Sequence, residues 1–372
     1  MIFFLYYVND YVKNVISSCY LVAEKRVNQL KPINKKCMNR KSFASLFLVA
    51  SFFLKAAAPF AQAKDTTGNI ISGNGLKGKS FLFVGEWDTR HPEAQYMTIV
   101  KDGKVVWQYS IPLHPSPSAN QEFDDVTMLP NRNIVYAQMS GAGIITPDKK
   151  IIWKYTCLPG TETHSCVPIG KDSVLMVLDG NPAKVLIINT ATNITLKEIL
   201  IPTTTKNTHG QFRHVRLTEK GTIVVPLLSE GKVVEYTLEG KEIWSVNAKS
   251  PWSAIRLHNG NTLISGDWSG YTREVDSSGK TVWELTQADV PFKLYNTQTA
   301  NRLTNGNTII CNWIGGNTKT EEWTGSVQAF EVTPEKKVVW ILSAWDNPDL
   351  GTSTAIQMLN ANGLPDKDDT QR

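Results

Sequence analysis

Hydrophobic positions along this chain fall in short runs rich in Val, Ile, Thr, Tyr and Trp, separated by Gly, Asn, Asp and Pro. No run keeps the period of an amphipathic helix, and short runs bounded by turn residues are typical of antiparallel strands. A representative stretch predicts four consecutive strands, at Ser253–Leu257, Thr262–Ser265, Tyr271–Val275 and Thr281–Leu285. The pattern therefore predicts an all-β protein.

Two motifs recur along these strands. One has the form Gly-Lys-x-x-Trp, with Lys replacing Gly in two copies, and its copies begin at Asp102, Asp148, Glu239, Ser278 and Glu335. The other, Arg-Leu-x-Asn-Gly-Asn-Thr, begins at Arg256 and Arg302. Units of about forty to fifty residues are the period of propeller blades. The Asn-Gly pairs are expected to close hairpins with positive φ at both central residues, Asn259-Gly260 and Asn305-Gly306.

The tryptophans of the first motif mark the last strand of each unit, and their rings are expected to pack between neighbouring units. They are Trp107, Trp153, Trp244, Trp283 and Trp340, and Leu196 is predicted to occupy the corresponding place in a further unit. The resulting prediction is a six-bladed β-propeller of four-stranded antiparallel blades.

The two ends of the repeat region complement each other. Ser353 begins a first-strand pattern that has no second strand after it, whereas the segment Phe81–Trp87 has no first strand before it. We therefore expect the strand Ala355–Leu359 to pair with the N-terminal strands and complete one composite blade. Closing the ring in this way removes exposed sheet edges.

The N-terminal region has the features of a cleaved signal peptide. Residues 38–63 combine a basic start, an apolar run too short to span a bilayer comfortably and an Ala61-Gln62-Ala63 end. An exported protein, periplasmic or secreted and without a membrane span once mature, is expected; a genuine membrane segment within residues 1–37 is the alternative. The predicted divisions are a mis-called extension at 1–37, the signal peptide at 38–63, a linker at 64–79, the propeller at 80–362 and a disordered tail at 363–372.

Removing the predicted leader changes the charge of the protein. The whole chain has 39 basic and 34 acidic residues and a formal net charge of +5. Residues 1–63 hold nine of the basic residues and two of the acidic ones, so 30 and 32 remain, a net charge of about −2. A mature chain without a basic excess is not expected to bind nucleic acid. Three cysteines remain, Cys157, Cys166 and Cys311, and an odd number cannot form a closed disulfide framework. Cys157 and Cys166 are expected either to form a disulfide or to stay free.

The central channel is the default ligand site of a propeller. Residues predicted at one mouth of the channel differ from blade to blade and are rich in acids, amides and tryptophans, which suits a polar ligand with apolar faces. A small molecule or glycan is the expected partner, with a carbohydrate or glycoconjugate favoured, and a monomer is expected. The predicted ligand-binding residues are Glu86, Trp87, Asp179, Asn181, Trp252, Asp267, Trp268, Gln298 and Trp313.

Catalysis at the same mouth would use the histidines. His164 or His214 would act as general base or nucleophile, Asp124 or Asp125 would orient it, and Arg213 would stabilise developing negative charge. Paired carboxylates running glycoside hydrolysis are the alternative enzyme, and a protein–protein scaffold is the alternative without catalysis. No hydrolase Ser elbow or zinc HExxH motif is present. No metal site is predicted, because Asp124, Asp125 and Asp179 lack a calcium-loop motif.

The repeats resemble those of pyrroloquinoline-quinone-type propellers, and the resemblance covers nearly all of the segment from Phe81 to Leu359. It implies the propeller fold. The quinone-dependent dehydrogenases of that superfamily are typically eight-bladed and carry adjacent cysteines, which this chain lacks, so no cofactor is expected. The repeats are also similar to those of bacterial arylsulfotransferases, exported six-bladed propellers in which a central histidine carries the sulfuryl group. That resemblance implies a role for His164 or His214 with Arg213.

Overall fold

The Val- and Ile-rich runs form strands throughout the part of the chain that the structure describes, residues 74–266 and 268–366 of a computed structural model. Six antiparallel sheets of four strands each are present there, so the predicted six-bladed, all-β propeller is confirmed. The predicted leader, most of the linker and residues 367–372 lie outside the described residues. Within the described ranges, no helix has the length and apolar character needed to cross a bilayer.

Twenty-four strands build the blades in the described residues. In blades 2 to 6 the four strands follow one another in chain order from the channel outward, and in blade 1 the C-terminal strand is innermost. Blade 1 contains β24 (Ala355–Leu359), β1 (Ser80–Val84), β2 (Gln95–Lys101) and β3 (Lys104–Ile111). Blade 2 contains β4 (Phe123–Met128), β5 (Ile134–Gln138), β6 (Gly141–Ile145) and β7 (Ile151–Thr156). Blade 3 contains β8 (Cys166–Ile169), β9 (Ser173–Leu178), β10 (Lys184–Asn189) and β11 (Ile194–Leu200).

The other three blades follow the same plan. Blade 4 contains β12 (Arg216–Leu217), β13 (Ile223–Leu227), β14 (Lys232–Tyr236) and β15 (Glu242–Asn247). Blade 5 contains β16 (Pro251–Arg256), β17 (Thr262–Gly266), β18 (Tyr271–Val275) and β19 (Thr281–Leu285). Blade 6 contains β20 (Asn296–Arg302), β21 (Thr308–Trp313), β22 (Ala329–Val332) and β23 (Val338–Leu342). Within the described part of the chain, three short 3-10 helices lie in loops, at Thr208–Gly210, Gln287–Asp289 and Thr320–Glu322.

The ring closes as predicted. Strand β24 is the innermost strand of blade 1 and pairs antiparallel with β1, with Met358 opposite Phe81 and Ile356 opposite Phe83. The chain then turns, and the N–H of Asp366 donates to the carbonyl of Met358 at 3.1 Å. The C-terminal strand therefore completes the blade that the N-terminal strands begin.

Apolar clusters fill the spaces between neighbouring blades. One of them joins Val177 of blade 3 to Phe212 and Val225 of blade 4, and all three side chains are fully buried. Cys157 and Cys166 carry free thiols, so the disulfide alternative between them is not realised. Because the apolar side chains pack between blades, the inner edges of the sheets are left to polar residues.

The tryptophans of the Gly-Lys-x-x-Trp motif join each blade to the next. Each indole N–H donates to the turn between the third and fourth strands of the following blade or, for Trp340, to the segment before β1. The acceptors are Pro147 O for Trp107, Asn193 Oδ1 for Trp153, Ser277 O for Trp244, Pro334 O for Trp283 and Gly75 O for Trp340, at 2.8–3.2 Å. The predicted packing role is confirmed.

The arginine of the second motif strengthens the same junctions. Arg302 of blade 6 pairs with Glu274 of blade 5 at 2.8 Å, and its guanidinium lies 5.8 Å from the ring centre of Trp283. Arg256 relates in the same way to Glu235 and Trp244 of the preceding blade. Both repeated motifs therefore act between blades.

The Asn-Gly turns differ from the expected geometry. Gly260 has a φ of +86° and Gly306 a φ of +82°, but the preceding asparagines are not left-handed. The N–H of Gly260 donates to Leu257 O at 2.9 Å, while the N–H of Leu257 donates to Asn261 O at 2.8 Å. The expectation of positive φ at both central residues is therefore wrong, since this wider turn needs one left-handed residue and glycine supplies it.

The assignment of Leu196 to the sixth tryptophan position is wrong by one residue. The motif's turn places a left-handed residue first, and in blade 3 that residue is Asn193, with a φ of +58°. Counting from it, Lys197 takes the tryptophan position and lies opposite Ile187, whereas Leu196 is skipped by the pairing and is 58% exposed. Lys197 reaches Glu239 of blade 4 at 2.9 Å, so it too spans the junction.

Replacing Lys197 with Trp is expected to stabilise the protein by about 0.5–2 kcal/mol, the usual range for a consensus substitution. The indole would reach the carbonyl of Leu238, which corresponds to Pro147, while the lost ion pair is exposed and contributes little. Urea unfolding measures the change. Leu196→Trp is the matched control, because its side chain points to solvent, and an equal gain from both variants would contradict the revised alignment.

Candidate functional site

At one mouth of the channel, five of the six inner strands begin with a residue that lies outside the regular ladder, the exception being β24 of blade 1. Asp124 is skipped between the pairs Phe123–Gln138 and Asp125–Ala137, and Trp252 is skipped between Pro251–Gly266 and Ser253–Ser265. His164, Arg213 and Gln298 lie in corresponding irregular stretches of blades 3, 4 and 6. Bulges of this kind redirect side chains and are common beside functional sites. Five predicted site residues therefore lie at the same kind of irregularity near the start of an inner strand.

His164 is at the centre of the polar part of this mouth and is fully buried. Its Nδ1 lies 2.8 Å from Asp124 Oδ1, and its Nε2 lies 3.0 Å from Glu162 Oε1. The same Glu162 oxygen is 2.9 Å from Nδ1 of His209, which belongs to the 3-10 helix before blade 4. Asp179, which directly follows β9, places Oδ2 3.7 Å from His164 Nε2. Residues from three blades thus form one chain of acids and imidazoles.

The aromatic part of the mouth continues from Arg213. Its guanidinium lies 4.0 Å from Asp179 Oδ2 and 4.8 Å from the ring centre of Trp252. Trp252 packs against Trp313 with ring centres 6.2 Å apart, and Trp313 packs against Trp268 at 5.7 Å. These contacts extend the site across blades 4, 5 and 6.

Glu86 closes the circle between the aromatic and acidic parts. Its carbonyl accepts the indole N–H of Trp313 at 2.9 Å, and its carboxylate accepts the amide of Gln298 at 2.5 Å. Oxygens of Glu86, Glu122 and Asp124 lie within 4.8 Å of one another. The predicted residues Glu86, Asp124, His164, Asp179, Arg213, Trp252, Gln298 and Trp313 therefore meet in one ring of contacts, which we call the channel-mouth ring.

The loop after β21 fits closely around the tryptophans. A Cβ at Gly315 would lie 2.7 Å from the ring of Trp313, and one at Gly316 would lie 2.7 Å from the ring of Trp268. Glycine is thus needed where the backbone passes the rings. A cavity of about 270 Å³ opens beside them, lined in part by Trp268, Tyr295 and Trp313. Trp252 and Trp313 are themselves only 5% and 6% exposed, so solvent reaches the aromatic side of the channel-mouth ring through this cavity and the exposed ring of Trp268.

Burial sets the protonation of the acidic residues. It raises the pKa of the Asp124 and Glu122 carboxyls well above their usual range, and the nearby Glu86 carboxylate adds to both effects. Burial also raises the pKa of Asp179, although Arg213 opposes this. These groups favour their neutral forms because ionising several carboxylates in a water-poor space is costly.

In the His164–Glu162 pair, both pKa values are lowered. Burial, assisted by the positive charge of Arg213, lowers the pKa of His164 to about 3, so its imidazole is neutral at pH 7. Burial alone would raise the pKa of Glu162, but hydrogen bonds with His164 and His209 outweigh it and the pKa falls well below the usual range. A neutral acid, a neutral imidazole and an ionised carboxylate therefore lie in sequence from Asp124 to Glu162.

Asp125 belongs to a second buried cluster. Arg216 donates to both of its carboxylate oxygens, at 2.9 and 3.1 Å, and Ser165 Oγ donates at 2.8 Å. Nδ1 of His214 is 3.6 Å from the same carboxylate, and burial lowers the pKa of His214. Asp124, and not Asp125, therefore contacts His164, whereas Asp125 and His214 associate with Arg216.

The remaining predicted ligand residues are more peripheral. Trp87 has a left-handed φ of +59° and meets His114 edge to face with ring centres 6.2 Å apart. Asn181 is exposed in the loop after β9, and Trp268 is 62% exposed. Asp267 lies outside the described residues.

The sequence analysis missed Glu162, His209 and Arg216, which make central contacts in these clusters. Glu162 and His209 could have been identified from their position, because each lies in the loop leading to an inner strand, close to a predicted residue. Nothing in the sequence distinguishes Arg216 from an ordinary strand residue.

Solved structures similar to this chain include one with a related overall arrangement and two that are more distant. No family model and no curated protein matches the chain. A solved protein of unknown function from Bacteroides caccae is 26% identical, with a TM-score of 0.65, and the match covers 75% of this chain and 98% of that one. A virginiamycin B lyase from Staphylococcus aureus, an inactive variant with quinupristin, is 11% identical with a TM-score of 0.49, covering 71% and 85%. The WD40 β-propeller domain of Doa1 is 9% identical with a TM-score of 0.45, covering 63% and 86%.

The proposed relations to quinone-type propellers and to arylsulfotransferases stay predictions.

Proposed function

We propose that the channel-mouth ring binds a carbohydrate or glycoconjugate. The observation that carries this proposal is the division of the ring into an acidic half around Asp124 and His164 and an aromatic half around Trp252 and Trp313. A sugar has hydroxyl edges and apolar C–H faces, and it can satisfy both halves at once. Large aromatic surfaces with a few directed polar groups are typical of small-molecule sites.

Buried polar atoms without a partner support a ligand at this place. In the described residues, the indole N–H of Trp252, both amide atoms of Asn296 and Oε1 of Gln298 are buried and have no hydrogen-bond partner. Leaving a buried polar group unpaired costs about 1–3 kcal/mol. All three residues lie at the start of an inner strand, so ligand hydroxyls entering the mouth would offer the donors and acceptors they need.

Replacing Trp268 with Ala is expected to weaken glycan binding by at least about tenfold, or about 1.4 kcal/mol. Trp268 offers its exposed ring beside Trp313, and its loss removes stacking surface without disturbing a blade. A glycan panel followed by calorimetry on the best ligand measures the effect. Leu196→Ala, which removes a similarly exposed side chain from an outer strand, is the control. The proposal fails if no glycan binds or if the two variants bind equally.

A glycoside- or aryl-sulfate-cleaving enzyme is the second candidate, and the Asp124–His164–Glu162 chain favours it. Chains of this type can move a proton between a bound substrate and the protein. Turnover of nitrophenyl glycosides and nitrophenyl sulfates by the wild type and by His164→Asn separates the candidates. An enzyme loses turnover in the variant and largely keeps its affinity, whereas a binding protein shows no turnover at the outset. If the protein neither binds a glycan nor turns over these substrates, a protein–protein scaffold would be favoured.

A further inference from the structure

Two imidazoles and a carboxylate converge between blades 3 and 4. Nε2 of His164 and Nδ1 of His209 both face the same carboxylate oxygen of Glu162, at 3.0 and 2.9 Å. The three potential ligand atoms lie within 4.8 Å of one another. Glu162 is partly buried and the side chain of His209 is 51% exposed, so the cluster is open toward solvent on one side.

Asp179 is an independent indication of a missing partner. Its carboxylate is fully buried, and Oδ2 lies 3.7 Å from Nε2 of His164 without a hydrogen-bond partner. Buried carboxylate oxygens are normally paired, with protein groups, water or a metal ion. This oxygen has only longer contacts, to Arg213 at 4.0 Å and to the ring nitrogen of His164 that also faces Glu162, so a fourth possible ligand points to the same place.

The surroundings resemble the supporting shell of a metal site. Asp124 Oδ1 lies 2.8 Å from Nδ1 of His164, the ring nitrogen directed away from Glu162. Metal-binding histidines commonly donate their second ring N–H to a carboxylate, which orients the imidazole. The backbone carbonyl of His209 accepts a hydrogen bond from Arg213 at 2.5 Å, which holds the loop in place. Both histidines are therefore positioned by contacts outside the donor set.

We propose that Glu162, His164 and His209 bind a divalent first-row transition cation such as Zn²⁺, with Asp179 as an additional ligand. Imidazole and carboxylate donors in this combination suit zinc and its neighbours better than calcium or magnesium. Arg213, 4.0 Å from Asp179, opposes the cation, and the carboxylates of Glu162 and Asp179 compensate for it. The site depends on these residues alone and not on a carbohydrate ligand.

Calorimetric titration of the chelator-treated protein with Zn²⁺ tests the proposal. The wild type is expected to bind one equivalent, and His209→Ala and Glu162→Gln are each expected to weaken binding by at least about tenfold, a loss no smaller than that seen for supporting residues of metal sites. Because His209 is largely exposed, its replacement is expected to leave the fold intact, and thermal melting checks this. Co²⁺ provides a second readout, since ligand-field absorption reports imidazole and carboxylate coordination directly.

His258→Ala is the matched control. His258 is also exposed and also contacts a carboxylate, with Nδ1 2.7 Å from Glu219 Oε1. This variant is expected to keep the Zn²⁺ affinity of the wild type. Absence of Zn²⁺ binding by the wild type, or equal affinities of folded His209→Ala and His258→Ala, would overturn the proposal. Glycan binding by the metal-free protein is measured separately, so failure of the metal site leaves the proposed carbohydrate site standing.

Discussion

Ending the chain at Ser353 is expected to leave no folded protein. The truncation removes β24, the inner strand of blade 1, whose residues Ala355–Leu359 are all buried. Burying Ile356, Met358 and Leu359 stabilises the fold by about 1.5–3 kcal/mol each. The total is comparable to the whole stability of a typical domain, about 5–15 kcal/mol. Soluble yield, circular dichroism and thermal melting measure the outcome.

Aggregation is the expected consequence, because loss of β24 exposes the edge of β1 in a sheet of apolar strands. The control ends at Asp366, which retains the hydrogen bond to Met358 and removes only residues beyond the described part of the chain. That variant is expected to melt with the full-length protein. A soluble protein ending at Ser353 whose melting temperature lies within a few degrees of the full-length value would show that the closure is dispensable.

Replacing Arg216 with Met is expected to destabilise the protein by about 3–5 kcal/mol, because it leaves the carboxylate of Asp125 buried without its charged partner. Arg216 donates to both Asp125 oxygens, and both side chains are less than 5% exposed. Methionine retains much of the apolar volume, so the effect reports mainly on the lost charge. The free energy of unfolding in urea measures it.

Two further variants define the cause. Adding Asp125→Asn to Arg216→Met is expected to recover part of the loss, since the double variant no longer holds an unpaired charge. Lys184→Met breaks the partly exposed pair with Glu198, at 2.8 Å, and is expected to cost at most about 1 kcal/mol. A loss below 1 kcal/mol in Arg216→Met would mean that the ion pair contributes little.

The architecture was predictable because it depends on contacts that recur. Each tryptophan of the Gly-Lys-x-x-Trp motif donates to the corresponding turn of the next blade, so the same interaction requires the same residues in each repeat. Where the motif was incomplete, the predicted alignment was wrong. Blade 3 has Asn193 where other blades have Gly or Lys, and the tryptophan position was assigned to Leu196 when it belongs to Lys197.

The candidate site was predicted in part, for a related reason. Knowing which end of each inner strand faces the channel mouth was sufficient to select His164, Arg213 and Trp252. It was not sufficient to pair them. Asp124 and Asp125 are neighbours in sequence, yet the bulge in β4 sends one to His164 and the other to Arg216.

The sequence by itself determined the strands, the number of blades, the closure of the ring and the end of the channel where unlike polar residues gather. Those features follow from the alternation of short hydrophobic runs with turn residues and from the period of the repeated motifs, and both can be recognised in the sequence. Only the tertiary structure decided that the carboxylate of Glu162 contacts the imidazole of His209. It also decided that Asp125 pairs with Arg216, 91 residues away in the sequence. Each of these pairs is formed only once and joins residues of different blades, so its members come together only when the ring has closed.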